Sequence, residues 1–214
     1  MTIVHLARHG QTPWHRPNRY TGSSDIGLDE TGERQAEQLA GWAAGAGLTA
    51  LACSDLVRAV RTAEPVAART GLTPIVDKRL RELDFGSAEG RLLAEMPTEV
   101  AERFVADPAG NHFPGGEHPR DAVERAMAAL GALTEAYPHG KVLVVAHSTL
   151  IRLIVCEVLG VPLGEYRRKL PGLSPASRTD LRFEDGKNED AKNEGGKTAA
   201  LLAFNVGLTA GCAA

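Results

Sequence analysis

The unbroken apolar run Val142–Ala146 constrains the fold of this chain more than any other segment. A strand with apolar residues on both faces must be covered on both faces, which is typical of a central strand in a mostly parallel sheet. A second, largely apolar run, Ile3–Ala7, breaks abruptly into Arg8-His9-Gly10. Strands of α/β proteins present their C-terminal ends to ligands. The sequence therefore predicts chemistry at strand ends, beginning with His9.

Predicted strands alternate with predicted helices along the chain. The helices are Thr31–Gly45, with Ala36, Leu39, Ala40 and Ala43 on one face, Leu56–Arg69, Asp121–Tyr137 and Thr149–Leu159. The remaining strands are Leu48–Cys53, Pro74–Val76, Asp180–Phe183 and Ala200–Phe204. Ser54-Asp55 is expected to cap the second helix. This alternation predicts an α/β fold, a three-layer α/β/α sandwich with a mostly parallel central sheet and helices on both faces.

Two stretches interrupt the regular pattern. Region 87–119 holds only short helical pieces and a Gly/Pro-rich end, so it is predicted to be an irregular substrate or lid region. Segment 185–198 contains Lys-Asn-Glu twice and is predicted to be a mobile, solvated hairpin loop. The length of 214 residues suits one substantial core, so we expect a single domain over 1–214.

Composition narrows the classes of partner. The net charge of -3 gives no global basic field, so neither nucleic acid nor a membrane is expected as a main partner. No apolar run approaches the roughly 20 residues of a membrane span. The three cysteines, Cys53, Cys156 and Cys212, show neither disulfide density nor metal-ligand spacing, which favours a cytoplasmic location. A small molecule is the expected partner, and a homodimer is possible.

Reactive residues recur in four ordered segments. These are Arg8-His9-Gly10, Ser54-Asp55-Leu56-Val57-Arg58-Ala59, Leu80–Gly86 and Val145-Ala146-His147-Ser148-Thr149. Together with Arg19-Tyr20-Thr21-Gly22, Leu28–Gly32 and Gly115-Gly116-Glu117 they resemble the histidine phosphatase superfamily, also called the phosphoglycerate mutase-like family, over almost the whole chain. The resemblance implies a phosphoglycerate mutase-like fold and phosphoryl transfer through a phosphohistidine.

Phosphoryl chemistry explains why these residue types belong together. A phosphomonoester dianion repels anionic nucleophiles, so the neutral imidazole of His9 is the predicted nucleophile. Arg8 and Arg58 are predicted to give forked donors to the nonbridging oxygens. His147, between a strand and a helix, is predicted to complete the phosphate pocket and take part in catalysis. Glu82, among apolar neighbours, matches the proton donor of the family, which later serves as the base for water.

Further contacts are predicted with less support from the residues alone. The phosphate contacts also include Gly10, His15 and Ser148, and the predicted substrate contacts are Gln11, Thr12, Thr21 and Gly22. Three of these positions depart from the family pattern. Gln11 stands where the family often has Glu, and His15 stands where an Asn commonly helps to hold the phosphate. Ser148 replaces a common Gly and is a candidate cap for the following helix.

A structural role is the alternative for several candidates. A histidine at a strand end is often an ordinary hydrogen-bonded residue, and Arg58 is placed to neutralise Asp55 on the same helix face. Asp84 and Glu89 compete with Glu82 as the acid, and the choice of Glu82 over Asp84 rests chiefly on the resemblance.

Other side chains are open to two interpretations. Arg167-Arg168-Lys169 either attracts a second anionic group or forms a solvated turn. Trp14 and Phe113 either shape the pocket or anchor their loops to the core.

The expected reaction is hydrolysis of a small phosphorylated metabolite. No compact metal-ligand spacing occurs, so we expect neither a metal nor another cofactor. Related cofactor-dependent mutases carry an extra helical insertion after the proton donor, whereas Arg120 here follows Glu82 by only 38 positions. That short connection favours a phosphatase over the alternatives, which are a cofactor-dependent phosphoglycerate mutase-type phosphotransfer and a noncatalytic phosphate-ligand sensor.

Overall fold

A six-stranded mixed sheet in the order β3-β2-β4-β1-β5-β6 organises the molecule. The computed structural model describes residues 1–185 and 197–208. The strands are β1 (Thr2–Arg8), β2 (Ala50–Cys53), β3 (Ile75–Val76), β4 (Lys141–Ala146), β5 (Arg178–Asp185) and β6 (Lys197–Val206). The first four run parallel, whereas β5 pairs antiparallel with β1 and β6 pairs antiparallel with β5.

Helices cover both faces of this sheet. They are α1 (Glu30–Ala43), α2 (Val57–Thr70), α3 (Thr98–Ala106), α4 (Pro119–Ala136), α5 (Ser148–Leu159) and α6 (Tyr166–Lys169), with 3-10 turns at Lys78–Leu80, Gly86–Ala88, Leu93–Glu95 and Leu163–Glu165. The predicted face of α1 is buried as expected, including Leu39. Together with the sheet these helices confirm the predicted α/β fold.

The alternation of side chains along β4 divides the core into two clusters. Leu143 and Val145 point to the face covered by α1 and α2. Val142 and Val144 point to the other face, in the cluster that also holds the buried residues of α4 and α5. Burial on both faces is the reason that β4 is apolar at every position from 142 to 146.

The pairing of β1 with β4 places the two candidate histidines side by side. Arg8 is in register with Ala146, and the backbone N–H of His9 donates to the Ala146 carbonyl at 3.0 Å. His147 follows Ala146 directly. Because both strands are parallel and end at the same edge, the residues after them share one end of the sheet.

Helix α2 is capped by a residue that the sequence did not indicate. Its N-cap position is Leu56, which offers no side-chain hydrogen bond, so the predicted cap at Ser54-Asp55 is wrong. The Val57 N–H donates instead to the Asp25 carboxylate at 2.7 Å. Asp55 is occupied by a two-pronged ion pair with Arg81.

Region 87–119 is more ordered than its composition suggested. It contains α3, and the rings of Phe104 and Phe113 stack at 4.1 Å within the core. Phe113 is therefore a core residue, whereas Trp14 lines the pocket that also contains His9 and Glu82. The lid role remains a prediction, and Leu93 supplies the contact of this region with the pocket.

Some predictions concern residues that the structure does not describe. The hairpin-loop prediction falls largely on 186–196 and the location of Cys212 falls on 209–214, and both ranges lie outside the described residues. Cys53 and Cys156 are buried free thiols. Within the described ranges, the helices are all too short or too polar to span a membrane.

Candidate active site

His9 is held with one ring nitrogen engaged and the other available. Its Nδ1 lies 2.7 Å from the carbonyl oxygen of Gly10. A carbonyl only accepts hydrogen bonds, so Nδ1 carries the proton and Nε2 keeps its lone pair. Burial, followed by the proximity of His147 and Arg58, holds the pKa of His9 well below its usual value. The ring is therefore neutral at neutral pH, which is the form that a nucleophile requires.

His147 lies directly against His9. The two ring centroids are 5.1 Å apart, and the His147 side chain is fully buried. Neither Nδ1 nor Nε2 of His147 has a hydrogen-bond partner in the described part of the protein. Burial and the nearby Arg58 keep the pKa of His147 well below its usual value. A buried imidazole with both nitrogens unpaired is costly in a structural role, and a bound ligand would satisfy it.

Arg8 and Arg58 bring two guanidinium groups to this buried centre. Arg8 donates through Nη1 to the Leu173 carbonyl and through Nη2 to His15. Burial lowers the pKa of Arg8 to about 10, so the group stays charged at neutral pH. The fully buried Arg58 donates to the carbonyls of Ser24 and Gly22, both at 2.8 Å.

Neither of these arginines forms an ion pair within the described residues, although the charge of Glu82 acts on both. The Nε of each is buried without a hydrogen-bond partner. Arg58 therefore does not neutralise Asp55, which was the alternative role open from the sequence, because Asp55 pairs with Arg81. Buried guanidinium groups without an ion-pair partner are suited to bind an anion.

Glu82 contacts the first turn of α5. One carboxylate oxygen, Oε2, accepts the Thr149 N–H, and Oε1 accepts the N–H groups of Leu150 and Leu83, each at 2.9 Å. The carboxylate thus caps α5 from outside the helix, at its positive end. Ser148 is the first helical residue and makes no side-chain cap, so its predicted capping role is wrong. Arg125 fixes the segment by donating to the Glu82 carbonyl at 3.1 Å.

The structure separates the three acidic candidates. Glu82 lines the pocket that contains His9. Glu89 instead accepts the backbone N–H groups of Gly22 and Ser24 and so holds that loop. Asp84 accepts the N–H of Gly86 within a turn. Of these three residues, only Glu82 is therefore placed to meet a ligand of the pocket.

His15 lines the pocket and contacts Arg8. Arg8 Nη2 lies against His15 Nε2. The other ring nitrogen, Nδ1, accepts the backbone N–H of Thr12 at 2.9 Å. Burial lowers the pKa of His15 to about 4, consistent with a neutral ring beside a cation. His15 thus orients Arg8, and its direct phosphate contact remains a prediction.

The other predicted contacts divide into two groups. Thr21 and Ser148 line the pocket. The other predicted contact residues donate to groups within the protein. The N–H groups of Gly10, Thr12 and Gly22 donate to Thr62, His15 and Glu89, respectively. Nε2 of Gln11 donates to Asp29. The substrate contacts of Gln11, Thr12 and Gly22, and the phosphate contact of Gly10, therefore remain predictions.

The glycine after His9 allows a close approach between two backbones. A Cβ built on Gly10 would lie 2.5 Å from the carbonyl oxygen of Gly32 in α1. No side chain fits at that distance without moving the helix. Gly10 therefore permits α1 to pack directly beneath the site.

The pocket has a volume of about 330 Å³, and its wall includes residues that the sequence analysis did not select: Asn18, Arg152, Tyr166 and Leu173. Arg152 carried a usable signal, because a charged residue within the apolar stretch Thr149–Leu159 is unusual for a buried helix. The predicted second-anion candidates separate here: Arg167 lines the pocket, whereas Arg168 is exposed and pairs with Glu165.

No compact donor set for a metal accompanies these residues. Across residues 1–185 and 197–208, no group of three or more His, Cys, Asp or Glu side chains is arranged to hold a metal ion.

We expect acidification to destabilise the protein through its buried histidines. The pKa of His15 is lowered to about 4, and those of His9 and His147 lie well below the ordinary 6.5. Below about pH 6.5 the unfolded chain therefore binds more protons than the folded protein. The contribution of these histidines to the free energy of unfolding is fully present above about pH 6.5 and decreases as the pH drops toward about 4. Thermal unfolding midpoints measured across that range should decrease.

A matched variant isolates this contribution from that of the carboxylates. His15→Asn lacks one histidine whose pKa is lowered, so its unfolding midpoint should decrease less steeply with acid than that of the wild type. Equal slopes for the two proteins would show that His15 is not the source.

Comparison with known proteins places this arrangement among phosphoryl-transfer proteins. A family model described as histidine phosphatase superfamily (branch 1) matches residues 4–192. A curated relative from Cronobacter sakazakii, named probable phosphoglycerate mutase GpmB, is 39% identical over 185 residues, which cover 85% of this chain and 86% of that protein.

Solved structures give a similar result. Mycobacterial glucosyl-3-phosphoglycerate phosphatase has a TM-score of 0.83 at 28% identity, covering 96% of this chain and 99% of that chain. That enzyme has also been solved in complex with inorganic phosphate. Bacillus stearothermophilus YhfR has a TM-score of 0.79 at 28% identity, covering 86% and 92% of the two chains.

Proposed function

Because this chain belongs to the histidine phosphatase superfamily, branch 1, we propose that it is a metal-independent phosphomonoester hydrolase that acts through a phosphohistidine on His9. The proposal is supported by the position of His9, whose Nε2 is free, beside the guanidinium groups of Arg8 and Arg58, each with a buried Nε that has no hydrogen-bond partner in the described part of the protein. The expected substrate is a small phosphorylated metabolite, in keeping with a cavity of about 330 Å³.

In the first step, Nε2 of His9 attacks phosphorus and the bond from phosphorus to the ester oxygen breaks. Arg8, Arg58 and His147 bind the nonbridging oxygens, where charge is spread in a loose transition state. Glu82 then gives its proton to the departing oxygen, and the alcohol leaves.

In the second step, water attacks the phosphohistidine. Glu82, now a carboxylate, takes a proton from that water, and the P–N bond breaks to return the lone pair to Nε2 of His9. Inorganic phosphate is released, and Glu82 carries a proton again. The carbonyl of Gly10 stabilises the positive charge that the His9 ring carries in the intermediate, through Nδ1–H.

Phosphoglycerate mutation is the second candidate function. It is favoured by the curated relative named probable phosphoglycerate mutase, which is 39% identical to this chain. Hydrolysis is favoured by the short connection between Glu82 and α4, and by the neighbouring structure named as a phosphatase. A mutase must keep water from its phosphorylated intermediate, whereas a hydrolase must admit it.

Phosphate release separates the candidate functions. We expect the protein to release phosphate from p-nitrophenyl phosphate after treatment with EDTA, and activity that returns only with Mg²⁺ or Zn²⁺ would contradict the metal-independent mechanism. With 3-phosphoglycerate and a trace of 2,3-bisphosphoglycerate, rapid formation of the 2-isomer without phosphate release would identify a mutase. Binding of phosphomonoesters without turnover would identify a sensor.

Replacing Glu82 with Gln should slow poor leaving groups more than good ones. An alkoxide needs a proton to depart, whereas nitrophenolate leaves without one, so only the alkyl ester depends strongly on the acid. We expect kcat/KM to fall by roughly 10²- to 10³-fold for an alkyl phosphate and by a smaller factor for p-nitrophenyl phosphate. Equal losses for both esters would exclude Glu82 as the proton donor.

A further inference from the structure

Arg125, on α4, is not one of the side chains that line the candidate pocket. It makes five hydrogen bonds, one for each N–H of a guanidinium group. Two go to the carboxylate of Glu117, at 2.6 and 2.8 Å. The other three go to backbone carbonyls, at 2.7 to 3.1 Å, and these belong to Arg79, Arg81 and Glu82. The guanidinium therefore joins α4 to the segment 79–84, which contains the candidate acid.

Glu117 holds the same segment at a second point. Its backbone N–H donates to the Asp84 carbonyl at 3.0 Å, and its Oε2 accepts the Asp84 N–H at 3.4 Å. The side chains of Glu117 and Arg125 are each about one-fifth exposed, and their ion pair is two-pronged. Such a pair fixes the plane of the guanidinium and with it the directions of the remaining donors. Glu117 and Arg125 are called the clamp pair below.

The segment 79–84 has little regular structure of its own. After the 3-10 turn Lys78–Leu80 it continues as neither helix nor strand until the next turn begins at Gly86. Backbone carbonyls outside helices and strands need other partners, and the clamp pair supplies them. The two-pronged pair of Arg81 with Asp55 ties the same segment to the residues just before α2. Satisfying carbonyls is a structural role, so any effect on catalysis depends on what this backbone carries.

The backbone at Glu82 determines where its carboxyl group lies. That group accepts the N–H groups of Thr149 and Leu150, both at 2.9 Å, and so bridges the segment 79–84 to the first turn of α5. N–H groups in the first turn of a helix have no partner within the helix, so these two depend on Glu82. The clamp pair fixes the other end of the bridge. A displacement of about 1 Å is enough to slow a reaction by a large factor.

We propose that the clamp pair positions the acid: Arg125, oriented by Glu117, fixes the backbone at Glu82 so that its carboxyl group faces the oxygen that leaves. This inference rests on the proposed function, because the position of Glu82 affects the rate only if Glu82 donates the proton. Neither residue of the clamp pair lines the pocket, so both are positioning residues that act through Glu82.

Arg125→Lys tests the clamp pair through the leaving group. Lysine keeps the charge but has three donors and no planar fork, so it cannot hold the Glu117 carboxylate and three carbonyls together. We expect kcat/KM to fall by roughly 10- to 10²-fold for an alkyl phosphate and by less than about threefold for p-nitrophenyl phosphate. Arg120→Lys is the matched control, because Arg120 is a half-exposed residue of the same helix that pairs with Glu157. It should change neither value.

A double variant separates positioning of the acid from a general loss of structure. In Glu82→Gln the acid is absent, so its position no longer affects the rate, and Arg125→Lys/Glu82→Gln should be no slower than Glu82→Gln alone. Losses that multiply in the double variant would overturn the inference, and so would equal losses for both esters in Arg125→Lys.

Glu117→Gln keeps the test usable if Arg125→Lys does not fold. This variant retains the guanidinium and the three carbonyls that it binds, and it loses only the two-pronged ion pair that orients them. We expect a smaller fall in kcat/KM, again larger for the alkyl phosphate than for p-nitrophenyl phosphate. Equal falls for the two esters would contradict the inference here as well.

Amide hydrogen exchange separates this inference from the proposed function. The exchange of the Thr149 and Leu150 N–H groups is measured by NMR in the wild type, Arg125→Lys and Arg120→Lys. We expect both N–H groups to exchange faster in Arg125→Lys alone, because the carboxylate that binds them loses its fixed position. Faster exchange supports the clamp pair even if the wild type hydrolyses no ester. Unchanged exchange rejects the clamp pair even if the wild type is a hydrolase.

Discussion

Replacing His9 with alanine is expected to lower kcat/KM for phosphomonoesters by on the order of 10⁴-fold or more, the largest effect of any single substitution in this chain. The variant loses the nitrogen that accepts the phosphoryl group, and no other side chain at the centre has the same arrangement. His147 is buried with neither nitrogen hydrogen-bonded, so no neighbouring carbonyl fixes its tautomer as Gly10 fixes that of His9. Steady-state kinetics with p-nitrophenyl phosphate measures the loss.

The covalent intermediate provides a second measurement of the same prediction. Rapid mixing followed by an alkaline quench should reveal phosphorylated wild-type protein, because a P–N bond survives base and hydrolyses in acid. His9→Ala should show no label. His139→Asn is the matched control, since His139 is exposed and has a positive φ of 63° that asparagine tolerates. Label that persists in His9→Ala would place the nucleophile elsewhere.

Replacing Arg58 with lysine is expected to have the second largest effect, a fall in kcat/KM of roughly 10³-fold. The two Nη groups of Arg58 are occupied by carbonyls of the 21–24 loop, and its Nε is buried without a partner. Lysine keeps the positive charge but lacks the planar fork, so it cannot hold the loop and face an anion together.

The control for this substitution lies on the same helix. Arg61 is half-exposed and pairs with Glu33 and Glu64, so Arg61→Lys should leave kcat/KM nearly unchanged. Thermal unfolding of both variants shows whether the fold is intact. If folded Arg58→Lys protein keeps its activity, the planar geometry of Arg58 is not required for phosphoryl transfer.

The residues at strand ends were predictable because local sequence determines where a strand stops. Apolar runs precede Arg8-His9 and His147. Once β1 and β4 are taken to be parallel neighbours, His9 and His147 lie at the same edge of the sheet. Arg58 and Glu82 were selected through the family resemblance. Their surroundings come from contacts that are distant in sequence, such as the N–H groups of Thr149 and Leu150 on Glu82.

Features that depend on tertiary contacts were predicted wrongly or missed. The cap of α2 comes from Asp25, about thirty positions before the helix, whereas the carboxylate of Asp55 forms a two-pronged pair with Arg81. Arg152 was missed because a buried cation on an apolar helix is understood only when the pocket above it is known. Periodicity identifies which face of a helix is buried, and it does not identify what that face meets.

The position of β1 in the sheet has a consequence for the order of folding. This strand is near the start of the chain, yet it lies between β4 and β5, pairing with residues 141–146 on one side and 178–183 on the other. Closing loops of this size makes the central pairing slow compared with helix formation. During synthesis, the two strands that pair with β1 are made more than 130 positions after it. His9 and His147 can therefore come together only after β4 has been made, and a nascent chain that ends before β4 lacks the candidate site.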